Sequence, residues 1–458
     1  MLRLVLLVPL LQDSRPAPRP PNILHIVADD VGWDDVGCYG GQDIPTPHLD
    51  RLAREGLRLT SYYAPHPTCT PTRAALLTGC YAPRVGLPQV LFPTDQVGLA
   101  PDETTIAELL RGRGYATALI GKWHLGHHPE HLPTRHGFDL FFGIPYPNDH
   151  GPERLDRNGR SRGFPPVPLL RQEAVVETPA QLGSLPLRLE AEAVRFLEAH
   201  RGQPFYLHFA NIETHTPWLV PRRAQGQSRA GVYGDAVHCL DQTVGVLLAT
   251  LDRLGLSTQT LVVFSSDNGP LVDAYPELEG IYGHAATVDT TRRHALRGGK
   301  YQARYEGGTR VSCLVRWPGH IAAGAVCDQI VAGFDWFATF AAIAGAAVPT
   351  DRARDGRDLT PLLTGASTAP VHEQFLYYEN RNLVAVRAGG WKLVFPPRNQ
   401  PVELYDLESD RGETRNCATE RPDVVQDLLA RARRGRTDLG EAASGTAGAG
   451  TRPAHRVR

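Results

Sequence analysis

The chain has 458 residues, a formal net charge of −1, 42% hydrophobic and 21% charged residues. That length can bury a large core and predicts two or three domains, while the balanced charge excludes recognition of nucleic acid through bulk charge and excludes an acidic tail. The 45 glycines and 38 prolines follow no repeat period, which excludes a collagen-like chain and fits a loop-rich enzyme.

Residues 1–11 hold one arginine and then an apolar run, followed by a Pro/Arg-rich spacer to residue 20. The segment reads as a secretory signal, predicting export to a periplasmic, secreted or lysosome-like location. It is too short to span a bilayer, and no other apolar run is long enough, so no stable membrane insertion is expected.

The run NILHIVA at 22–28 has the length and composition of a buried strand and stops at Asp29-Asp30. TPHLDRLAREG at 46–56 has helical periodicity and a glycine stop. Next comes Cys69-Thr70-Pro71-Thr72-Arg73. The proline presets helix entry, and the helix over 73–77 ends at Gly79. Cys69 is thereby placed at a helix N-terminus with Arg73 on the same side of the first turn, an arrangement expected to acidify a thiol.

A helix over 104–113 precedes the strand YATALI at 115–120, which runs into Gly121-Lys122-Trp123-His124. A helix over 187–200 precedes the strand at 205–211, which leads to Glu213-Thr214-His215. A helix over 236–254 precedes the strand at 261–265, which leads to Ser266-Asp267-Asn268-Gly269. Helices alternating with apolar strands predict an α/β domain over 21–350, a mostly parallel sheet covered on both faces. Ligands bind outside the C-terminal strand ends of such sheets. The polar clusters at four ends, namely Asp29/Asp30, Lys122/His124, His215 and Asp267/Asn268, are therefore expected to converge.

Beyond Val348 the texture changes. A short helix and turn at 360–367, a hairpin over 383–394 around Ala388-Gly389-Gly390, a strand at 403–406 and a helix over 422–436 predict a smaller α+β domain, 351–436, with a short antiparallel sheet. Residues 437–458 are Gly/Ala-rich and expected to be disordered. The seven cysteines are too scattered for a disulfide scaffold or zinc knuckle. Only Lys122, Lys300 and Lys392 are lysines among 48 basic Lys and Arg residues. A chain that uses arginine wherever a generic cation serves reserves lysine for positions needing a compact ammonium. Lys122 meets that expectation at a strand end; Lys392, on the hairpin, is expected to face outward, where arginine would be nearly neutral.

Asp29, Asp30, Asp267 and Asn268 are hard oxygen donors suited to Ca²⁺ or Mg²⁺; Asp34 and Asp35 lie further from the strand and rank behind them. C-x-P-x-R-x-x-x-L-T-G at 69–79 resembles the sulfatase signature, whose cysteine is oxidised to formylglycine after synthesis. The resemblance extends through strand-D-D-x-G-W, G-K-W-H-L-G, S-S-D-N-G and L-R-G-G-K…E-G-G-T-R, over about residues 21–410. Residues 132–152 and the Glu403-Leu-Tyr-Asp-Leu407 segment look like the arylsulfatase A-type branch, which implies an alkaline-phosphatase-like fold.

That resemblance implies hydrolysis of aryl or carbohydrate sulfate esters, with a formylglycine-generating enzyme as partner. Asp29, Asp30, Asp267, Asn268 and modified Cys69 would hold the cation, Arg73 the formylglycine hydrate, and Lys122, His124, His215 and Lys300 the sulfate. His124 is assigned as the base that expels sulfate, and His215 with Lys300 as donors at the leaving oxygen. Two departures bear on substrate: Pro147 stands where the branch has serine, with Asn148 beside it, and Tyr301 follows Lys300 where a small residue is usual. Two alternatives remain at this point: a phosphonate monoester or phosphodiester hydrolase on the same scaffold, and a non-catalytic anion-binding protein with Cys69 unmodified.

Overall fold

The computed structural model describes residues 19–156, 159–272, 294–397 and 400–457; the signal-like segment lies outside them. Five parallel strands form the centre of a ten-stranded sheet, in the order Thr260–Ser266, Asn22–Ala28, Phe205–Ala210, Ala116–Lys122 and Leu140–Ile144. Each of the first four is buried along its whole length, which is why apolar runs mark them in the sequence. Successive side chains point to opposite faces. Leu24, Ile26 and Ala28 enter one core layer with helices Leu185–Ala199 and Gly231–Arg253. Ile23 and Val27 enter the other, with helices Cys69–Thr78, Ile106–Arg111 and Asp335–Ile343.

Register aligns the functional ends. Ala28 pairs with Ser266, and both Val27 and Gly121 pair with Ala210. Asp29, Asp267, Asn211 and Lys122 therefore leave the sheet along one rim. The outer strands are short and mostly antiparallel: Cys313–Arg316 and Leu57–Leu59 with Ala325–Cys327 on one side, Leu169–Arg171 and Ala174–Glu177 on the other. Pairings of two to four residues leave little periodicity to read, and the sequence did not reveal these edges.

A separate four-stranded antiparallel sheet comprises Phe375–Glu379, Asn382–Ala388, Trp391–Val394 and Glu403–Asp406. Helix Pro422–Leu439 covers it, and its core includes Tyr63, Tyr81 and Phe334 from the larger layer. The sheet thus shares a core with the rest of the chain.

Two expectations are corrected here. Lys392 does not face outward: it is fully buried, with Nζ 3.0 Å from Glu306 Oε1 and 2.8 Å from Glu413 Oε1. Its ammonium also lies 4.2 Å from the centre of the Tyr377 ring. Both Arg387 and Lys392 pair across the hairpin on the face turned toward the larger domain, where distant glutamates neutralise them. A polar residue in a strand reads as solvent-facing only when such partners are out of view. Lys392→Met strands two buried carboxylates, though Glu306 keeps Arg310 at 3.2 Å. We expect a loss of about 3 kcal/mol in chemical denaturation, and Lys392→Arg is not neutral in so enclosed a slot.

The C-terminal residues are ordered, not disordered. Residues His455–Arg456 pair antiparallel with Val97–Gly98. Arg84 binds Asp355 and Asp438, each at 2.7 Å, and Arg452 binds Glu103 at 2.5 Å. The glycines permit close packing: a Cβ on Gly448 would fall 2.5 Å from the Leu439 carbonyl carbon, and one on Gly86 2.3 Å from the Ala454 nitrogen. Low side-chain content here serves contact, not disorder.

Candidate active site

The rim residues meet in one buried cluster. Asp29 receives Lys122 Nζ at 2.7 Å and Arg73 at 3.3 Å on Oδ2, and its Oδ1 lies 3.5 Å from Cys69 Sγ. Asp30 Oδ2 receives Lys300 Nζ at 2.6 Å, and Oδ1 receives the Asn268 amide at 2.7 Å. Asp267 Oδ2 receives Arg73 at 2.7 Å, while its Oδ1 accepts the Asp30 backbone N–H at 3.2 Å. All ten site residues singled out in the sequence, nine at the strand ends and the Cys69 helix together with Lys300, are buried.

The Cys69 helix spans Cys69–Thr78 with Thr68 in extended conformation ahead of it, and Gly79 closes it in the left-handed region. Arg73 reaches across to the Lys122 carbonyl at 3.1 Å, and Thr70 Oγ1 donates to the His124 carbonyl at 3.0 Å. One helix thereby fixes the end of strand Ala116–Lys122 at two points.

Burial would raise the Asp29 carboxyl, but the cationic Lys122, Arg73 and Lys300 hold it well below the usual carboxylate range. Asp267 moves the other way, raised by burial and by Asp29 beside it. Burial would also discharge the lysines; Asp29 beside Lys122 and Asp30 beside Lys300 keep both ammoniums charged. The expected acidification of Cys69 is overturned. Burial pushes the thiol up, and the pull of Lys122 and Lys300 does not offset the lost solvation. A helix N-terminus acidifies a thiol that keeps some solvent; this one is 2% exposed.

The histidines are neutral and their tautomers follow from their partners. His124 Nε2 lies 2.9 Å from the Leu91 carbonyl and must donate to it, which leaves Nδ1 as a buried lone pair with no partner. His215 Nδ1 donates to the Thr216 carbonyl at 2.8 Å, so Nε2 accepts from Lys300 at 3.1 Å. Burial, then the adjacent lysines, hold both imidazoles below their ordinary values.

Donor atoms of Asp29, Asp30, Cys69 and His215 lie within 4.8 Å of one another. Asn268 Oδ1 is buried without a hydrogen-bond partner, an acceptor left for a ligand that offers no proton. Three carboxylates and three cationic side chains cancel in this cluster, so a divalent cation would give it the net positive charge an anionic ester needs. These features fit Ca²⁺ or Mg²⁺. Asp34 and Asp35 fall outside this cluster and group with His294 instead.

Several contributors had no sequence signal. Thr214 Oγ1 donates to the Asp29 carbonyl at 2.5 Å, and Tyr233 donates to the Asp30 carbonyl at 3.0 Å and also bonds Asp35. Asp149 is buried with Arg154 at 2.7 Å, and its Oδ1 is 3.9 Å from His215 Nδ1. Asp30, His124 and Tyr301 hold positive φ of 65°, 63° and 70°, a strain of about 1–3 kcal/mol each that clusters at functional sites. Asn148, beside Pro147, donates to the His215 carbonyl at 3.4 Å. All seven cysteines are free.

A sulfatase family model matches residues 21–346, and a model of the N-sulphoglucosamine sulphohydrolase C-terminal region matches 299–436. Mouse (Mus musculus) steryl-sulfatase is 37% identical over 514 aligned residues, covering 90% of this chain and 81% of that protein. Arylsulfatase A of Bos taurus is 39% identical, covering 90% and 86%. Among solved structures, the PsFucS1 sulfatase of Pseudoalteromonas sp. superposes with a TM-score of 0.79 at 28% identity, covering 92% of this chain and 91% of that one.

Proposed function

The chain belongs to the sulfatase family and is a sulfuric ester hydrolase, and we propose that it works through formylglycine made from Cys69 by a formylglycine-generating enzyme, with a Ca²⁺ or Mg²⁺ ion beside it. The observation that carries this reading is the burial of Cys69 Sγ 3.5 Å from Asp29 with Arg73, Lys122 and Lys300 all bound to the same carboxylate set. A thiol raised by burial is a poor nucleophile, so an unmodified cysteine has no evident task in this cluster.

Asp29, Asp30, Asp267 and Asn268 would hold the cation, which supplies positive charge for an ester oxygen. A hydrated aldehyde offers two hydroxyls on one carbon, one to attack sulfur and one whose deprotonation expels sulfate. Arg73 holds the residue-69 side chain in place, and Lys122 and Lys300 neutralise the sulfate oxygens as charge builds. His124 Nδ1 takes the proton of the second hydroxyl; its unpartnered lone pair supports that role. Lys300 sits where it can donate to the leaving oxygen. His215 Nε2 accepts from Lys300, so we assign His215 to orienting that ammonium in the resting state rather than donating itself.

Export and a sulfate monoester substrate complete the reading; no helix among the described residues is long and apolar enough to cross a membrane. The deciding comparison is turnover of an aryl sulfate against an aryl phosphodiester. Sulfate turnover should exceed phosphodiester turnover, and the reverse would favour the phosphorus-ester alternative. Exhaustive chelation, and separately Asp267→Ala, should lower bound cation and rate together; full activity in metal-free protein contradicts the cation assignment.

A further inference from the structure

A cavity of about 720 Å³ opens beside the outer strands Leu57–Leu59 and Ala325–Cys327. Buried Trp33, Tyr39 and Thr60 line it from within, joined by half-buried Arg58 and by exposed Asp328 and Arg411. No residue of the reaction cluster lines it.

Both arginines are oriented and neither is neutralised. The Arg58 guanidinium carbon lies 5.6 Å from the centre of the Tyr39 ring, and that of Arg411 lies 5.8 Å from the centre of the Trp33 ring. Contact with a ring face orients a guanidinium without supplying an acceptor for its N–H groups. Arg58 donates to the Cys38 carbonyl, and its Nε is buried without a partner. Among the described residues no carboxylate comes within ion-pair distance of either arginine.

The interior behind Trp33 adds charge of the same sign. Arg310 lies 5.9 Å from the centre of the same ring. It belongs to a buried group in which Arg310, Arg387 and Lys392 act on Glu306, with Glu413 as the second carboxylate. With Arg58 and Arg411 added, five cations stand against three carboxylates, the third being Asp328. Partial desolvation, then Arg310 and Arg387, lower the Arg411 guanidinium from its ordinary pKa, and Asp328 opposes them. An excess of two positive charges facing a concavity favours a dianion.

We propose that this cavity is a second anion site, separate from the reaction centre, which binds a phosphate dianion, free or as the head of a small monoester. A phosphomonoester carries about 1.5–2 negative charges near neutral pH, where a sulfate monoester carries one. Guanidinium forks match phosphate oxygens bidentately. The cavity also leaves room for the body of an ester beyond its phosphate.

Phenylglyoxal modification of the full chain, mapped by peptide mass spectrometry, reads Arg411 independently of the reaction centre. Phenyl phosphate is expected to protect Arg411 at concentrations at least tenfold lower than benzenesulfonate, which has the same ring and a single charge. Arg58→Gln should raise the protecting concentration at least tenfold, with turnover of an aryl sulfate unchanged. Asp328→Asn, at an exposed position, should lower it at least twofold. Protection by inorganic phosphate at a lower concentration than phenyl phosphate assigns the free ion to the site, and the reverse order assigns the monoester. Protection by neither phosphate, equal protection by benzenesulfonate, or protection indifferent to both substitutions overturns the proposal.

Discussion

Lys300→Arg keeps the charge and loses the reaction: kcat on an aryl sulfate falls about 10²–10³-fold, or roughly 3–4 kcal/mol. Lys300 Nζ lies 2.6 Å from Asp30 Oδ2 and 3.1 Å from His215 Nε2, at 5% exposure. A guanidinium is planar and wider and cannot occupy that point between a carboxylate and an imidazole. It also stays protonated, so it cannot deliver a proton to the departing oxygen. Steady-state kinetics checks this, and wild-type kcat in Lys300→Arg would show that any cation serves. Lys392→Arg is no control for this experiment, because Lys392 is itself buried between Glu306 and Glu413. An exposed Arg→Lys change, such as Arg229→Lys at a pair with Asp43, is the appropriate neutral reference.

Cys69→Ala has the larger effect. Removing a covalent nucleophile costs on the order of 10⁶ in kcat in a hydrolase whose nucleophile acts in concert with its neighbours, which leaves no measurable turnover. Folding should survive. Asp29 loses only the thiol contact and keeps Lys122 and Arg73, and deleting one buried heavy atom costs about 1 kcal/mol. A cooperative unfolding transition near that of the wild type, with activity gone, is the expected pair of results. Residual activity above a few per cent would place the nucleophile elsewhere.

The main elements of this site were legible because they sit at the ends of strands whose burial writes itself into the sequence. NILHIVA could only be a core strand, and Asp29-Asp30 had to follow it onto the rim. Parallel register then carries Asp267, Lys122 and His215 to the same edge. What stayed hidden depends on contacts between distant segments. Lys392 meets glutamates 86 residues before it and in a later loop, and no local pattern announces that pairing. Thr214 and Tyr233 support backbone carbonyls, a role any hydroxyl at any spacing could fill. The thiol of Cys69 was misjudged because local helix geometry is visible in sequence and desolvation is not. The C-terminal residues were misjudged because composition cannot distinguish a chain that fails to pack from one trimmed to fit, as Gly448 is.

The central claim is that residue 69 is no longer cysteine in the active protein. Mass spectrometry of the tryptic peptide containing residue 69, taken from protein produced alongside a formylglycine-generating enzyme, tests it directly. The account predicts the aldehyde in place of the thiol, reactive toward a carbonyl-specific hydrazide, in proportion to specific activity. Full sulfatase activity in a preparation whose residue 69 is an unmodified, alkylatable thiol would contradict it.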